Sequence, residues 1–256
     1  MKSIDEEVRE FWNSVAQDWQ LQVGDNGDSN RLLNSDPVLW RFVGDVHGVC
    51  VLDAGCGTGY LARKLANKGA LVTGVDVSVK MIEIAREHTD KIGQNIDYHV
   101  DSCSRLESLN DEIFALVVSN YVLMDVPNLE GTMQAFHRVL KPNGSAVLIF
   151  SHPCFPQGKA TVTEQESTVN YTWSFPYFER RKCVEPPWGH FTEDFIWFHR
   201  PLSDYWKAFK ASGFEVLDFE EPRIKDECHH LVANERKLWN ARTRPYSVAF
   251  KLRKTE

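Results

Sequence analysis

Residues 51–59, Val-Leu-Asp-Ala-Gly-Cys-Gly-Thr-Gly, decide the fold of this chain. An apolar run from Val49 to Leu52 ends at Asp53, and three glycines then alternate with other residues before a helical pattern begins at residue 59. Glycine lets the backbone turn tightly and approach a ligand closely. The stretch therefore predicts a buried strand, a nucleotide-binding glycine loop and a helix.

Working outward, short apolar runs and amphipathic stretches alternate from residue 49 to 151. Strands are expected at 71–75, 96–100, 114–118 and 146–150, and helices at 59–68, after Ser78 and around 129–140, with 141–144 as a turn. Near-continuous apolar strands separated by helices indicate a parallel sheet covered on both faces. The predicted fold class is α/β, a doubly wound, mostly parallel seven-stranded sheet.

The whole chain, residues 1–256, is expected to form one domain with four parts. Residues 1–47 are a predicted helical lid and 48–151 the cofactor-binding core. Residues 152–200, which follow strand five, are rich in aromatic side chains and form a predicted insertion over the substrate. Residues 201–256 complete the sheet with a helix at 202–211, a strand at 214–219, a polar helical segment at 223–243 and a strand at 246–252.

Composition narrows the possible partners. The formal net charge of −7 argues against a nucleic-acid partner, which usually demands a basic face. The acidic N-terminus has no apolar segment of the signal-peptide type, and no apolar run is long enough to span a membrane. The six cysteines are scattered, without the spacing of a metal site. We expect a cytoplasmic protein without a bound metal. We make no prediction of the oligomeric state.

Three carboxylates follow the first three strands. The loop has the spacing G-x-G-x-G, not the dinucleotide pattern G-x-G-x-x-G, and the Asp53 that precedes it would repel a pyrophosphate but suit a cationic ligand. Asp76 can accept the ribose hydroxyls of an adenosine. Asp101 and Ser102 are placed for an adenine amino group, although a helix cap for residues 103–108 explains them equally well.

The segments VLDAGCGTG, VTGVD and LKPNG, with a third strand that ends at Asp101, resemble the class I methyltransferases in order and spacing over residues 49–151. The resemblance implies S-adenosyl-L-methionine as cofactor and S-adenosyl-L-homocysteine as product. It also implies cofactor contacts for the loop, for the ends of strands two to four and for an arginine that holds the cofactor carboxylate. These residues are Asp53, Gly55, Cys56, Gly57, Asp76, Val77, Asp101, Ser102, Asn120 and Arg31.

A narrower resemblance concerns the acceptor. The segments GDNGDSNRLLNSDPVLW, YVLMDVPNLE and SHPCF are similar to segments of bacterial small-molecule methyltransferases of specialised metabolism. The chain lacks the Asn/Asp-Pro-Pro-Tyr/Phe segment of adenine methyltransferases, and its Pro153-Cys154 pair follows strand five instead of the strand four of cytosine enzymes. The resemblance implies a small-metabolite acceptor.

Aromatic and ionisable side chains supply the acceptor-site candidates. Predicted substrate contacts are Trp12, Trp19, Tyr121, Trp173, His190 and Trp197, although such aromatic residues also pack insertions. His152 is the first candidate for a general base, with a backbone-bonded loop histidine as the alternative, and His190 and His199 are further imidazoles. Asp125 is a catalytic candidate that could anchor a cationic amine or cap the following helix.

Four functions remain open at this point. The leading one is N- or O-methylation of a small metabolite, with nitrogen favoured by the acidic candidates. The second is methylation of RNA or of a protein side chain. The third is a cofactor-binding protein without turnover, and the fourth, a nicotinamide dehydrogenase, is disfavoured by the glycine spacing.

Overall fold

The computed structural model describes residues 2–155, 160–163, 168–171 and 173–255. Two helices, α1 (Ile4–Ser14) and α2 (Ala16–Val23), form the N-terminal part, and a π-helical turn (Arg31–Ser35) leads into α3 (Asp36–Val43). Ser3 and Glu6 form a capping box that fixes the start of α1. The amphipathic pattern at residues 11–19 predicts one helix, but the helix breaks at Val15, which is fully buried.

The core alternates strands and helices as the pattern predicts. Its elements are β1 (Cys50–Ala54), α4 (Tyr60–Asn67), β2 (Leu71–Asp76), α5 (Val79–Lys91), β3 (Asp97–Val100), β4 (Phe114–Asn120), α6 (Leu129–Val139) and β5 (Leu140–Ser151). The hydroxyl of Ser78 accepts the backbone N–H of Met81 at 3.1 Å, which confirms the predicted cap of α5. The predicted turn at 141–144 lies inside the range of β5, which begins at Leu140. Leu140 pairs with Phe114 and Ser145 with Leu116, so residues 141–144 stand outside the ladder, and Asn143 has a left-handed φ of +60° of the kind found in turns.

The remaining elements follow the core. The insertion contains the hairpins β6 (Ala160–Thr163) with β7 (Thr168–Tyr171) and β8 (Arg181–Glu185) with β9 (Phe195–His199). After it come α7 (Leu202–Ala211), β10 (Phe214–Glu220), a 3-10 turn (Asp226–Leu231), α8 (Glu235–Thr243) and β11 (Ser247–Lys254). Residues 156–159, 164–167 and 172 of the predicted insertion lie outside the described residues.

Within the described residues the main sheet has seven strands in the order β10-β11-β5-β4-β1-β2-β3. The pairs among β5, β4, β1, β2 and β3 are parallel, and β11 is antiparallel to both its neighbours. The sheet confirms the predicted fold class. Strand order reverses between β1 and β4, and ligands of such sheets bind outside the carboxyl ends of the strands at that point. No described helix has both the length and the apolar character needed to cross a membrane.

Candidate active site

The carboxyl ends of four parallel strands bring the predicted cofactor residues to one edge of the sheet. Ala54 of β1 lies opposite Val75 of β2, so the loop after β1 starts beside Asp76. The backbone N–H of Asp101 donates to the carbonyl of Asp76 at 3.0 Å. Asn120 ends β4 on the other side of β1. Residues distant in sequence therefore converge because of the strand order alone.

The glycine loop needs its glycines for conformation and for space. Gly55 and Gly57 have φ angles of +76° and +52°, in the left-handed region that favours glycine. A Cβ on Gly55 would lie 2.4 Å from a methyl carbon of Val122, and one on Gly57 would lie 3.0 Å from the indole nitrogen of Trp19. Glycine at these two positions therefore lets the loop pass close to the side chains of Val122 and Trp19.

Asp76 links the loop to the start of α5. One carboxylate oxygen accepts the N–H of Gly57 and the other accepts the N–H of Ser78, both at 2.9 Å. Each oxygen keeps a second lone pair, so the carboxylate can also accept hydroxyl hydrogens. Burial raises the pKa of Asp76 to about 6, and the two amide donors oppose this shift.

Two further polar groups near the loop lack internal partners. Oδ2 of Asp53 and Oδ1 of Asn120 are buried without a hydrogen-bond partner among the described residues. Burial, together with the nearby Asp76 carboxylate, raises the pKa of Asp53 to about 7, while the backbone N–H of Ala62 and the Arg63 guanidinium oppose the shift. Buried acceptors of this kind favour a ligand that brings N–H groups or positive charge.

A narrow cleft of about 80 Å³ lies at this edge of the sheet. Its wall includes Gly55, Gly57, Asp76, Val77, Ser102, Asn120, Tyr121, Asp125, Trp12 and Trp19. The acidic wall residues are Asp5, Asp76 and Asp125, and none of the described wall residues is basic. S-adenosylmethionine, which carries an ammonium and a sulfonium but no phosphate, fits this charge pattern, whereas a pyrophosphate does not.

Four predicted cofactor residues lie outside the cleft wall. Asp53 and Cys56 are buried beneath the loop. The carboxylate of Asp101 accepts the backbone N–H groups of Ser102 and Ser108 and the hydroxyl of Ser108. Residues 103–108 form turns, so the predicted helix cap at Asp101 and Ser102 is wrong, and the carboxylate stabilises a loop instead. Arg31 forms an ion pair of 2.8 Å with Asp28 and stacks against Trp19 and Tyr121, in the wall of a second cavity.

That second cavity, of about 790 Å³, adjoins the cleft through a shared wall. Trp19, Tyr121 and Asp125 line both spaces. The cavity is large enough for a drug-sized ligand, whose pockets span about 300–1,000 Å³. Aromatic residues of the insertion form part of its wall, among them Trp188, Phe195, Trp197 and Phe198. We name it the acceptor cavity, because Trp19, Tyr121 and Trp197, which are predicted substrate contacts, lie in its wall.

Asp125 is the ionisable group of the shared wall. It lies in a turn after β4, where its backbone N–H donates to the carbonyl of Val122 at 2.7 Å. The residue is 6% exposed, and Oδ1 has no hydrogen-bond partner among the described residues. Burial raises the pKa of Asp125 well above its usual value, while the Arg200 guanidinium opposes the shift.

The other predicted acceptor residues divide into two groups. Trp197 and His152 line the acceptor cavity. Nε2 of His152 lies 2.9 Å from Glu221, and Nδ1 accepts the backbone N–H of Cys154 at 3.1 Å, so both ring nitrogens are engaged. His190 is exposed, and Trp173 packs against the rings of the insertion, so neither belongs to the wall of either space.

Sequence reasoning missed Arg200 and Val8. Arg200 is 5% exposed and donates to the carbonyls of Val126 at 2.6 Å and Pro127 at 2.9 Å, which holds the turn that carries Asp125. Val8 of α1 lines the cofactor cleft. The pattern of apolar residues could have placed Val8 on the buried face of α1, but no local signal pairs Arg200 with a carbonyl 74 residues away.

Fold and site together define a nucleoside-binding, doubly wound domain whose cleft favours a cationic ligand. Residues 52–148 match the family described as "Methyltransferase domain". The chain is 32% identical over 239 residues to a ubiquinone biosynthesis O-methyltransferase of Coxiella burnetii, covering 91% of this chain and 90% of the relative. The chain belongs to the class I S-adenosylmethionine-dependent methyltransferases, and its cofactor is S-adenosylmethionine.

Two further comparisons define the extent of the similarity. A protein of the same name from Photobacterium profundum is 30% identical over 142 residues, or 54% of this chain and only 59% of that relative. The solved structure of an S-adenosylmethionine dependent methyltransferase from Mesorhizobium loti superposes with a TM-score of 0.69 at 23% identity, covering 85% of this chain and 96% of that one. The structural likeness extends the shared fold beyond the cofactor core.

Proposed function

We propose that the protein transfers a methyl group from S-adenosylmethionine to a hydroxyl group of a small metabolite. The observation that carries the proposal is the shared wall of the two spaces, where Trp19, Tyr121 and Asp125 separate the cofactor cleft from the acceptor cavity. When bound, the sulfonium supplies an activated methyl group. The task of the protein is then to align the acceptor with that group and to exclude water.

The chain's own residues divide this task. Asp76 and Asn120 hold the cofactor from the sheet edge, and the glycine loop lets it approach the backbone closely. The Asp125 carboxyl, with its unpartnered oxygen, binds a polar hydrogen of the acceptor beside the cleft. The aromatic residues of the acceptor cavity surround the rest of the molecule. His152 has no free lone pair, because Nδ1 accepts one hydrogen bond and Nε2 is bound to Glu221.

Oxygen is the proposed acceptor atom because the two relatives described above, from Coxiella burnetii and Photobacterium profundum, are named as O-methyltransferases. A nitrogen acceptor is the second candidate. The same unpartnered oxygen of Asp125 would bind an ammonium group, and burial of an uncompensated carboxyl favours a cationic partner. Specialised metabolism as the setting rests on the sequence resemblance alone.

A transfer screen tests the proposal. The purified chain is incubated with S-adenosylmethionine carrying a labelled methyl group and with matched sets of phenols, alcohols and amines. We expect label in hydroxyl compounds. The matched control is Gly55→Val, whose side chain collides with Val122 and closes the loop to the cofactor. Label in amines alone would establish the second candidate, and no transfer with retained cofactor binding would contradict both.

A further inference from the structure

His199 lies at the end of β9 in the wall of the acceptor cavity and is only 1% exposed. Its Nε2 lies 2.7 Å from the backbone carbonyl oxygen of Tyr177. A carbonyl oxygen can only accept a hydrogen bond, so Nε2 carries the proton. In the neutral ring the lone pair therefore lies on Nδ1.

Nδ1 of His199 is buried and has no hydrogen-bond partner among the described residues. Native proteins keep few such atoms, and each calls for an explanation. Burial lowers the pKa of His199, Arg181 and Arg200 lower it further, and the Tyr177 carbonyl and Asp204 oppose them. The imidazole is therefore neutral at neutral pH and can take up a proton through Nδ1.

A second unpartnered polar atom lies on the same strand as His199. Trp197 precedes His199 by two residues, so both side chains leave the same face of β9, and Nε1 of Trp197 is also buried without a partner among the described residues. Between them, the backbone N–H of Phe198 donates to the carbonyl of Met124 at 2.7 Å. This bond lays β9 along the turn that carries Asp125.

We propose that His199 receives the proton of the acceptor during methyl transfer, an inference that rests on the proposed function. The acceptor oxygen donates its hydrogen to Nδ1 and bonds to the methyl carbon, while the carbon–sulfur bond breaks. The electron pair of that bond stays on sulfur, which loses its positive charge as the imidazole gains one. The acceptor class is a hydroxyl compound that also carries an oxygen or nitrogen able to accept the N–H of Trp197.

Nitrogen-15 NMR of the full chain, saturated with S-adenosylhomocysteine, tests the role of His199 without knowledge of the acceptor. The probes are phenol and anisole, which differ in the hydroxyl hydrogen. We expect an unprotonated Nδ1 at neutral pH, an upfield shift of its resonance with phenol and no such shift with anisole. A proton on Nδ1, or a phenol spectrum in which the His199 resonance does not move, would overturn the proposal.

Kinetics with an acceptor that the transfer screen identifies give a second readout. His199→Gln keeps an amide N–H for the Tyr177 carbonyl but has no imidazole, so kcat should fall by about a hundredfold or more with KM for S-adenosylmethionine unchanged. With saturating S-adenosylmethionine, the low-pH limb of the wild-type kcat profile should disappear in this variant. His137→Gln on α6, outside both walls, is the matched control. A screen without transfer would contradict the proposed function, and the NMR result would still decide the state of His199.

Discussion

At the scale of single residues, the carboxylate of Asp76 has both a structural role and a place in the cofactor cleft. It organises the glycine loop through Gly57 and the start of α5 through Ser78, and it faces the cofactor cleft. Asn at this position has the same shape but keeps only one acceptor oxygen. We therefore expect the geometry of the loop and its affinity for the cofactor to depend on the same side chain.

We expect Asp76→Asn to weaken the binding of S-adenosylhomocysteine by about ten- to a hundredfold, since each lost or unsatisfied hydrogen bond costs about 1–3 kcal/mol. Calorimetric titration measures the change. Asp97→Asn is the matched control, because that carboxylate lies at the exposed start of β3 and pairs with His99 away from the cleft. Equal affinity of the wild-type and Asp76 variant proteins would show that the ribose does not bind this carboxylate.

Burial raises the pKa of Asp53 to about 7 and that of Asp76 to about 6. As pH rises, we therefore expect the stability of the ligand-free protein to fall and its affinity for the cofactor to increase. A carboxyl whose folded pKa lies above its unfolded value contributes stability that is complete below the unfolded pKa and is lost as pH rises through the folded pKa. The ligand-free protein should therefore lose stability between about pH 4 and about pH 7. Thermal unfolding across this range measures the loss.

The affinity for S-adenosylmethionine should rise over the upper part of the same window, because the cationic cofactor favours ionised carboxylates. Below the lower pKa, about 6 for Asp76, the gain should approach about tenfold per pH unit for each group that must ionise. Titrations in buffers with different ionisation enthalpies should also detect proton release on binding. An affinity that stays constant from about pH 5.5 to about pH 7.5 would rule out this linkage.

At the scale of elements, β9 and the turn after β4 form one unit. Phe198 donates to the carbonyl of Met124, and Arg200 donates to the carbonyls of Val126 and Pro127. These carbonyls are buried or partly buried, and a guanidinium satisfies them together because its donors spread in one plane. The insertion thereby fixes the position of Asp125 at the shared wall.

Arg200→Met should lower the free energy of unfolding by about 2–4 kcal/mol, because the carbonyls of the turn lose their buried donor. Urea unfolding measures the loss. Arg180→Met is the matched control: this arginine forms ion pairs with Glu130 and Asp204 at the surface, and its loss should cost less than about 1 kcal/mol. A similar effect of both substitutions would mean that the turn holds its shape without Arg200.

A structural feature could be predicted from the sequence where its signal lies within a short stretch of the chain. The alternation from β1 to β5, the cap at Ser78 and the cleft residues Gly55, Gly57 and Asp76 follow from periodicity and turn chemistry within short windows. The β8–β9 hairpin does not, because its pairing joins residues separated by an irregular segment. Sequence reasoning places the start of β5 at residue 146 and misses the pair of Leu140 with Phe114, because the register shift at residues 141–144 separates that pair from the rest of the ladder.

The same reasoning explains the acceptor site. His152 and Asp125 could be chosen from sequence because each closely follows a strand. Nδ1 of His152 has a local partner, the backbone N–H of Cys154 two residues away, as the interpretation of a backbone-bonded loop histidine expects. The partners of Nε2 in His152 and in His199, Glu221 and Tyr177, are 69 and 22 residues away, so sequence reasoning could not find them. The availability of a side chain for chemistry is set by tertiary contacts.

At the scale of the whole molecule, two segments far apart in sequence form one cover at the cofactor cleft. Residues of α1 and α2 line the cleft, and the β8–β9 hairpin packs against these two helices. We define this cover as α1, α2 and the β8–β9 hairpin with its connecting residues. Glu7 pairs with Lys182, and the carboxylate of Asp18 accepts the backbone N–H and the hydroxyl of Thr192 at 2.9 and 2.7 Å. The rings of Phe11 and Phe195 meet edge to face at 5.3 Å. The cover is therefore connected by both polar and aromatic contacts.

We expect this cover to move when the cofactor enters, because Val8, Trp12 and Trp19 of α1 and α2 line a cleft of only about 80 Å³. Since its two segments are joined, we expect S-adenosylhomocysteine to slow amide hydrogen exchange in α1, α2 and β8–β9 together, as measured by mass spectrometry of peptic fragments. Helix α6, packed against the sheet away from the cleft, should show no change. Asp18→Ala removes the acceptor for Thr192 and should weaken the coupling, so that protection persists in α1 and α2 but is reduced in β8–β9, where the Glu7–Lys182 and Phe11–Phe195 contacts remain. Protection confined to the N-terminal helices of the wild-type protein would contradict a single cover, because the shared contacts would then transmit nothing between its parts.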